Sequence, residues 1–346
     1  MGRPSGSPVR RGATLFLAAL VVVALGGAAA PAGAAEDAIG RCPAARLDPP
    51  ADAAQPPGVR ARFMGTTTIL LEDGVDQILL DGFFSRPRLS SVVFRKIGPD
   101  PSRIKAGLAR ARITRLSAVL TAHAHYDHAL DAPDVAEATG APLVGSASVA
   151  NIALGRGFPA ARIRTITGGE TLCFGRFTIR AVAAPHSPTG RLRGWLFDGA
   201  IPRPLASPAR AWAYKEGGNF SYLVEHGGTR ILLHPSANSR PDLFQDMRAD
   251  VVFLGLGGLG GRDEDGLETY WREVVGMTGP TTVIPVHWDN FWRPLDQPLK
   301  PPPRPFADHA GAMRVISRLA RHDGVTILSP PPFEALDLPG PVATAR

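Results

Sequence analysis

Residues 117–131, SAVLTAHAHYDHALD, place three histidines and two aspartates directly after a short apolar run. The chain of 346 residues contains only 9 histidines, so this density is the strongest constraint in the sequence. The run LSAVLTA (116–122) is typical of a buried strand, and the cluster begins where that strand ends. Such a cluster is either a metal site or a polar loop that happens to be rich in histidine.

The spacing within HAHYDH favours the metal site. In an extended chain, alternate residues point to the same side, which predicts that His123, His125 and Asp127 face one point. His128 then becomes available to a neighbouring position once the chain turns. Neutral imidazole and carboxylate are ligands that suit zinc and related ions.

Two further histidines follow apolar runs of the same kind. His186 ends the run FTIRAVAAP, and His287 ends the run TTVIPV. Either histidine by itself would be an ordinary residue at the end of a strand. Because three apolar strands end in histidine, we expect their ends to meet at one sheet edge and their imidazoles to share a site.

The order of the predicted elements indicates the fold class. Runs such as VRARFMG, TTTILLED and DQILLDG predict an antiparallel start, and strand-rich blocks then alternate twice with helical patterns such as residues 101–113. This order predicts an α/β fold, a four-layer αββα sandwich of two mixed β-sheets with outer helices, over residues 59–335. We expect residues 187–218 to form a long loop and residues 336–346 a tail.

The N-terminal sequence is typical of a targeting segment. In residues 1–35, three arginines precede an apolar run from Leu15 to Leu25, and small residues follow. The run is short for a stable membrane span, so we predict a signal peptide and export to the periplasm or the medium. An uncleaved N-terminal anchor is the alternative. Residues 36–58 are rich in proline and alanine and are predicted to be a linker.

The sequence does not decide whether its two cysteines, Cys42 and Cys173, form a disulfide. Export would permit the bond. An N-terminal thiol and a separate buried strand thiol would fit the sequence equally well.

Charge and composition limit the kinds of binding partner that the chain is expected to have. The formal charge of +7 falls to +4 without residues 1–35, and we expect no basic-aromatic patch. This balance does not indicate a nucleic-acid partner. We expect a small-molecule or lipid-like substrate and no stable membrane span after signal cleavage, and the oligomeric state stays open.

The glycine-rich stretch GLGGLGG (255–261) contains the pattern G-x-G-x-x-G. A dinucleotide site would also require an acidic residue about twenty positions further on, at the end of the next strand. The sequence has none there, so we expect instead a loop near the proposed metal site.

Taken together, HAHYDH, the lone His186 and PVHW resemble the metallo-β-lactamase-fold hydrolases. The resemblance covers nearly all of residues 60–330. The stretches FMGTTTILLED, HYDHALD and VIPVHWDNF look closest to the branch that includes ascorbate-6-phosphate lactonase and N-acylphosphatidylethanolamine phospholipase D. The resemblance implies one metal on His123, His125 and His186 and a second metal on Asp127, His128 and His287.

One position departs from the pattern of that family. A carboxylate usually bridges the two metals, and its place falls to Ser236 in TRILLHPSAN. A hydroxyl is a poor bridging ligand, so we expect either two ions bridged by hydroxide alone or a single ion. His234 either supplies a nitrogen or faces away as a strand residue. Asp81 resembles the family's supporting aspartate and is expected to orient ligand loops, or else to cap a strand.

These residues predict the chemistry. A divalent cation lowers the pKa of a bound water towards about 7, which makes hydroxide available at neutral pH. We therefore predict an exported metal-dependent hydrolase of an ester, lactone, amide or phosphodiester bond, with Asp127 orienting the nucleophile. Zinc is the expected ion, in one or two copies, with manganese or iron as substitutes. The alternatives are an iron-dependent redox or sulfur enzyme of the same fold and a non-catalytic metal- or ligand-binding protein.

Overall fold

Short strands with alternating buried side chains build two large β-sheets that pack face to face. A computed structural model describes residues 1–2, 38–43, 58–188, 190–259, 262–303 and 308–340, with the side chains of 191–193 left aside. The unit Met1–Pro31 lies almost entirely outside these residues, and everything below concerns the unit Ala32–Arg346. The predicted signal peptide and most of the predicted linker therefore lie outside the described residues.

The strands are named in chain order. They are β1 (Arg60–Phe63), β2 (Ile69–Glu72), β3 (Gln77–Leu80), β4 (Lys96–Ile97), β5 (Ala118–Leu120), β6 (Leu143–Gly145), β7 (Ile163–Thr165), β8 (Thr171–Phe174), β9 (Phe177–Ala183), β10 (Ala209–Arg210), β11 (Phe220–His226), β12 (Thr229–His234), β13 (Val251–Gly255), β14 (Thr282–Val286), β15 (Thr326–Ile327) and β16 (Leu336–Asp337).

Within the described ranges, fourteen of the sixteen strands form two seven-stranded mixed sheets. The first has the order β16-β1-β2-β3-β5-β6-β7, and the second has the order β15-β14-β13-β12-β11-β9-β8. The predicted antiparallel start is confirmed by the pairing of β1, β2 and β3, whereas β3, β5, β6 and β7 run parallel. Strand β16 lies in the segment predicted as a tail, but it pairs with Arg60 and Ala61. The ordered sheet therefore extends past residue 335.

The helices cover the outer faces of the sheets. They are α1 (Leu89–Phe94), α2 (Pro101–Ala111), α3 (Tyr126–Ala129), α4 (Ala132–Thr139), α5 (Ala147–Leu154), α6 (Gly190–Phe197), α7 (Glu264–Trp271) and α8 (His309–His322). Local sequence sets their ends: α2 begins where Asp100 accepts the backbone N–H groups of Ser102 and Arg103, at 3.0 and 3.2 Å. Among the described helices, none is long and apolar enough to cross a bilayer.

Side-chain alternation creates the four predicted layers. In β3, Ile78 and Leu80 point into the apolar layer between the sheets, while Leu79 points to the outer layer with α2 and α4. In β12, Leu233 points inward and Leu232 points to the outer layer with α7 and α8. The αββα architecture is thereby confirmed.

The segment 187–218 is not the continuous loop that its proline and glycine content predicts. It contains α6, the short strand β10 and a 3-10 turn, Ala211–Ala213. Strand β10 pairs with β4 in a separate two-stranded sheet. Tertiary contacts thus give regular structure to a segment whose local composition favours a loop.

Cys42 and Cys173 form a disulfide, which the sequence left open. The bond fastens residues 38–43 to β8, and the backbone N–H of Cys173 donates to the carbonyl of Gly40 at 2.7 Å. Part of the predicted linker is therefore attached to the edge of the second sheet.

Replacing Cys42 and Cys173 together by serine is expected to lower the free energy of unfolding by about 2–4 kcal/mol, because the crosslink closes a long loop of the unfolded chain. The two residues are 131 positions apart in sequence. Urea unfolding with and without reductant measures the effect. Reductant should destabilise the wild type and leave the double variant unchanged; equal stability of the two oxidised proteins would contradict the prediction.

Candidate metal centre

The histidines predicted from three strands meet where the ends of the two sheets face each other. His123 follows β5 of the first sheet, whereas His186 and His287 follow β9 and β14 of the second sheet. The expectation of a single sheet edge is therefore wrong. The site lies between two sheets because inward-pointing apolar side chains, such as Leu80 and Leu233, pack the sheets face to face.

Two compact groups of ligand-type atoms form there. Within each group, one ligand atom from every residue lies within 4.8 Å of the others. The groups consist of His123, His125 and His186, and of Asp127, His128 and His287.

A short helix changes the local geometry of HAHYDH. Residues 126–129 form α3, so the extended alternation predicted through Asp127 ends at His125. The helical turn presents Asp127 and His128 together to the second group instead. The rings of His123 and His128 are 3.9 Å apart between centroids, so the two groups adjoin.

The first group is a cage of three imidazoles. The ring centroids of His123, His125 and His186 are 4.6–4.7 Å apart in every pair. His123 is buried, and neither of its ring nitrogens has a hydrogen-bond partner among the described residues. Buried polar nitrogens normally have a partner, so this ring fits a site that a cation completes.

The second group centres on the carboxylate of Asp127. Its Oδ2 lies 3.6 Å from Nε2 of His128 and 3.5 Å from Nε2 of His287. Asp127 is the one carboxylate in the two groups. It therefore supplies the negative charge that these six side chains offer to a cation.

Protein oxygens hold the other nitrogens of three rings. Nε2 of His125 is 3.2 Å from the carbonyl of Phe197, and Nδ1 of His186 is 2.8 Å from that of Ser187. Nδ1 of His128 is 2.8 Å from Oδ2 of Asp81. Histidines that bind metals are typically oriented in this way, so the residues present fit a divalent cation.

Asp81 accepts hydrogen bonds from several parts of the chain around the second group. Besides His128, it accepts the hydroxyl of Thr67, and its Oδ1 accepts the backbone N–H of Ala122 at 2.8 Å. Asp81 itself has a φ of +60°. Its carboxylate thus joins β3, the segment after β5 and a ring of the second group.

Burial and neighbouring charges set the protonation states. Burial lowers the pKa of His123 well below its usual value and that of His186 to about 3, and nearby imidazoles add to both shifts. Burial alone would raise the pKa of Asp127, but His128 and His287 outweigh it and hold the pKa below its usual range. Neutral His123 and His186 and a charged Asp127 are the forms that bind a divalent cation.

The described part of this loop, residues 256–259, approaches the site closely, as expected. A Cβ at Gly257 would lie 2.9 Å from Cγ and Nδ1 of His287, so a side chain there would displace the ring. Gly257 and Gly258 both line the pocket above the two groups. The glycines therefore provide close packing against an imidazole.

Ser236 lies at the site, but its hydroxyl is engaged elsewhere. It lines the same pocket, and its Oγ donates to Oδ1 of Asn219 at 2.8 Å. Asn219 in turn donates to the carbonyls of Ala184 and Pro185. The serine thus belongs to a network that fixes the segment before His186.

The structure does not bring His234 to the two groups. By alternation along β12, its side chain shares the outer face with Leu232. Its ring packs against Phe244 and Tyr270, and its Nδ1 is 2.7 Å from Oγ of Ser221. As a candidate ligand, His234 is therefore corrected to a buried strand residue that faces away.

A pocket of about 430 Å³ opens above the two groups. Its walls include several apolar and aromatic side chains, among them Leu89, Val93, Phe197, Phe291 and Trp292. Two polar residues that the sequence did not single out, Asp289 and His309, also line it. The position of Asp289, two residues after His287, could have indicated that it lies near the site. Phe197 lies in a segment predicted as a loop, and no local pattern indicated its position at the pocket.

Replacing Asp131 by asparagine is expected to flatten the pH dependence of stability. Oδ2 of buried Asp131 accepts the backbone N–H groups of Phe84 and Ser85 at 2.7 and 2.6 Å, and burial raises its pKa from 3.8 to about 7. The folded protein keeps this proton in a range where the unfolded chain has lost it. The contribution of protonated Asp131 to the free energy of unfolding is therefore fully present below about pH 4. It falls by up to about 1.4 kcal/mol per pH unit as the pH rises towards 7.

Asparagine keeps the accepting oxygen without the charge. In urea unfolding of metal-free protein, the stability of the wild type relative to the variant should decline between pH 4 and pH 7. A difference that stays constant across this range would contradict the raised pKa of Asp131.

Comparisons with known proteins agree with this architecture. Residues 76–288 match the family described as the beta-lactamase superfamily domain. The chain is 31% identical over 281 residues to a UPF0173 metal-dependent hydrolase of Pyrobaculum islandicum, which covers 78% of this chain and 99% of that protein. It is 26% identical over 230 residues to one of Heliobacterium modesticaldum, covering 66% of this chain and 82% of that protein.

A solved structure shares the fold. Igni18, a metallo hydrolase from Ignicoccus hospitalis, superposes with a TM-score of 0.50 and 15% identity, covering 80% of this chain and 97% of that chain. The family match extends over more than half of the chain and includes all six residues of the two groups, and only the elements before residue 76 and after residue 288 lie outside it. The sequence match and the shared fold therefore lead to the same family. The chain is thus a metal-dependent hydrolase that belongs to the β-lactamase superfamily and has the metallo-β-lactamase fold.

Proposed function

We propose that this hydrolase is exported and cleaves an ester, lactone, amide or phosphodiester bond of a small-molecule or lipid-like substrate. The observation that carries the proposal is the adjacency of two groups, one of three imidazoles and one with Asp127, beneath a pocket with apolar walls. In this arrangement, metal ions at the bottom of the pocket can activate a nucleophile, and the apolar side chains of the pocket walls can bind an apolar part of the substrate.

Zinc is the ion that we propose for both groups, because five imidazoles and one carboxylate are donors that zinc favours. His123, His125 and His186 would hold one ion, and Asp127, His128 and His287 the other. Bound there, zinc would lower the pKa of a water and offset the negative charge that develops on the substrate oxygen. Manganese and iron are the substitutes to be distinguished by metal analysis.

The chain's own side chains would do the remaining work. Asp127 accepts a hydrogen bond from the attacking water and orients it towards the substrate. Phe197, Phe291 and Trp292 exclude bulk water from the pocket and hold the apolar part of the substrate. Asp81 keeps the ring of His128 in one orientation throughout.

Ser236 bears on the number of ions. Its hydroxyl donates to Asn219, so it offers no anion between the two groups. We propose that two zinc ions bind with unequal affinity, the ion at the group of three histidines being retained more firmly. Zinc titration by calorimetry tests this: Ser236→Asp should raise the affinity of the weaker ion. A single stoichiometric ion in both proteins would end the two-ion version.

Export is supported by two features. Residues 1–35 have the character of a signal peptide, and the Cys42–Cys173 disulfide suits an oxidising compartment. N-terminal sequencing of the protein isolated from culture fractions tests the proposal. A mature chain that begins near Glu36 supports cleavage and export, whereas an intact N-terminus in a membrane fraction would support the anchored alternative.

The decisive experiment combines metal analysis with a panel of ester, lactone, amide and phosphodiester substrates. The zinc-loaded wild type is expected to turn over one of these classes, and the chelated protein is expected to lose that turnover. Iron in protein purified without added metal would instead favour redox or sulfur chemistry. No turnover by zinc- or manganese-loaded protein over the whole panel would overturn the proposed bond classes.

A further inference from the structure

Four large apolar side chains beside the pocket are exposed to solvent. The exposed fractions are 46% for Val93, 75% for Phe94, 76% for Trp195 and 39% for Trp212. We call these four residues the aromatic rim. Exposed aromatic side chains are costly in a water-facing surface and usually mark an interaction site when they cluster.

The rim residues lie on three neighbouring elements. Val93 and Phe94 lie on α1, Trp195 lies on α6, and Trp212 lies in the turn Ala211–Ala213. Arg210 links two of them, because its guanidinium donates to the carbonyl of Phe94 at 2.8 Å and lies 5.4 Å from the ring centre of Trp212. Helix α6 packs beside the same turn.

The rim also adjoins the mouth of the pocket. Val93, a rim residue on α1, lines the pocket directly. Phe197 lines it from α6, two residues after Trp195. The rim therefore lies beside the opening above the two ligand groups, and Val93 belongs to both.

The charged residues within the segments that carry the rim are all basic, which differs from the expectation of no basic-aromatic patch. Residues 87–99, 190–197 and 202–215 contain eight lysines and arginines and no aspartate or glutamate, although the whole chain has 38 basic and 31 acidic residues. Acidic residues, namely Asp100, Asp198 and Glu216, occur only at the borders of these segments. The partner is therefore expected to be anionic as well as apolar.

We propose that the aromatic rim docks on the surface of an anionic lipid bilayer. Tryptophan and phenylalanine insert at the boundary between headgroups and acyl chains, and lysine and arginine beside them pair with anionic headgroups. The rim combines both features beside the pocket. Docking of this kind places the mouth of the pocket against the bilayer without any membrane-spanning helix.

Co-sedimentation of the full chain with vesicles tests the proposal. Vesicles of phosphatidylcholine mixed with phosphatidylglycerol are compared with vesicles of phosphatidylcholine alone. The variant Phe94→Ser/Trp195→Ser/Trp212→Ser is expected to partition about tenfold less onto the anionic vesicles than the wild type. Val75→Ser is the matched control, since Val75 is 77% exposed in the turn between β2 and β3, remote from the pocket.

Charge is tested separately with a second pair of variants. Arg95→Gln/Lys96→Gln should weaken binding to the anionic vesicles only, because it removes two exposed cations beside the rim. Arg314→Gln/Arg321→Gln makes the same change of charge on exposed positions of α8 and should bind as the wild type does. Circular dichroism and the unfolding midpoint of each variant verify that it is folded, and Trp195→Ser alone serves if the triple variant is not.

Three results would overturn the proposal. In the first, the wild type fails to bind anionic vesicles. In the second, the triple variant binds them as well as the wild type does, so that the apolar run Leu15–Leu25 or another surface is responsible for binding. Alternatively, the triple variant could change the sedimentation coefficient of the protein alone while its vesicle binding is unchanged, which would make the rim an interface between two copies. Because vesicle binding is measured without turnover, none of these results bears on the proposed hydrolase.

Discussion

Replacing Asp127 by alanine is expected to lower kcat/KM by about 10²–10⁴-fold. Asp127 is the one carboxylate among the six grouped side chains, and its Oδ2 lies within 3.6 Å of ring nitrogens of both His128 and His287. Its removal takes away the negative charge of the second group and, on the proposed mechanism, the acceptor that orients the attacking water. Steady-state kinetics on the substrate class found by the panel measures the loss.

Metal content separates the two causes of that loss. We expect the alanine variant to keep the ion at His123, His125 and His186 and to lose affinity for the other, so that bound metal per chain falls by up to one ion. Asp127→Asn keeps one oxygen and should retain more metal than alanine does. Asp265→Ala removes a carboxylate from an exposed position of α7 and should match the wild type in both respects. Wild-type kcat/KM in the Asp127→Ala variant would remove this residue from the mechanism.

Replacing Arg86 by methionine is expected to lower the free energy of unfolding by about 3–5 kcal/mol. Nη2 of Arg86 donates to Oδ2 of Asp289 at 2.6 Å, and both side chains are fully buried. The substitution leaves the carboxylate of Asp289 in the interior without its counter-charge. Chemical denaturation of metal-free wild type and variant measures the difference.

The same substitution should loosen the second ligand group. Oδ1 of Asp289 accepts the backbone N–H of Thr66 at 2.7 Å, and the carbonyl of Thr66 accepts the backbone N–H of His287 at 2.6 Å. His287 has a φ of +58°, a conformation that these bonds maintain. We therefore expect Arg86→Met to weaken metal binding at the group containing His287 and to leave the group containing His123 unaffected.

A double variant distinguishes the unpaired charge from lost packing. Arg86→Met combined with Asp289→Asn removes the buried charge together with its partner, so it should be less destabilised than Arg86→Met alone. If the single and double variants are equally unstable, packing around the methionine accounts for the loss and the ion pair does not.

Local patterns were sufficient for the parts of the site that lie at strand ends. An apolar run followed at once by a polar ligand-type residue identified His123, His186 and His287, because a strand's period and its end are both written in consecutive residues. Local patterns gave the wrong secondary structure where contacts with neighbouring elements decide the conformation. Residues 126–129 turn into a helix, and residues 190–197 form another inside a segment whose composition favours a loop.

The sequence by itself determined the four layers and the six ligand-type residues, since alternation and strand ends depend on near neighbours in the chain. The tertiary structure alone decided that two sheets, and not one, supply the histidines, and that Arg86 and Asp289, 203 positions apart, pair beneath them. It also decided that His234 faces away and that three separate segments bring their aromatic side chains to one rim. Contacts between residues so distant in the chain arise only when the packed layers bring them together, and no local pattern records them.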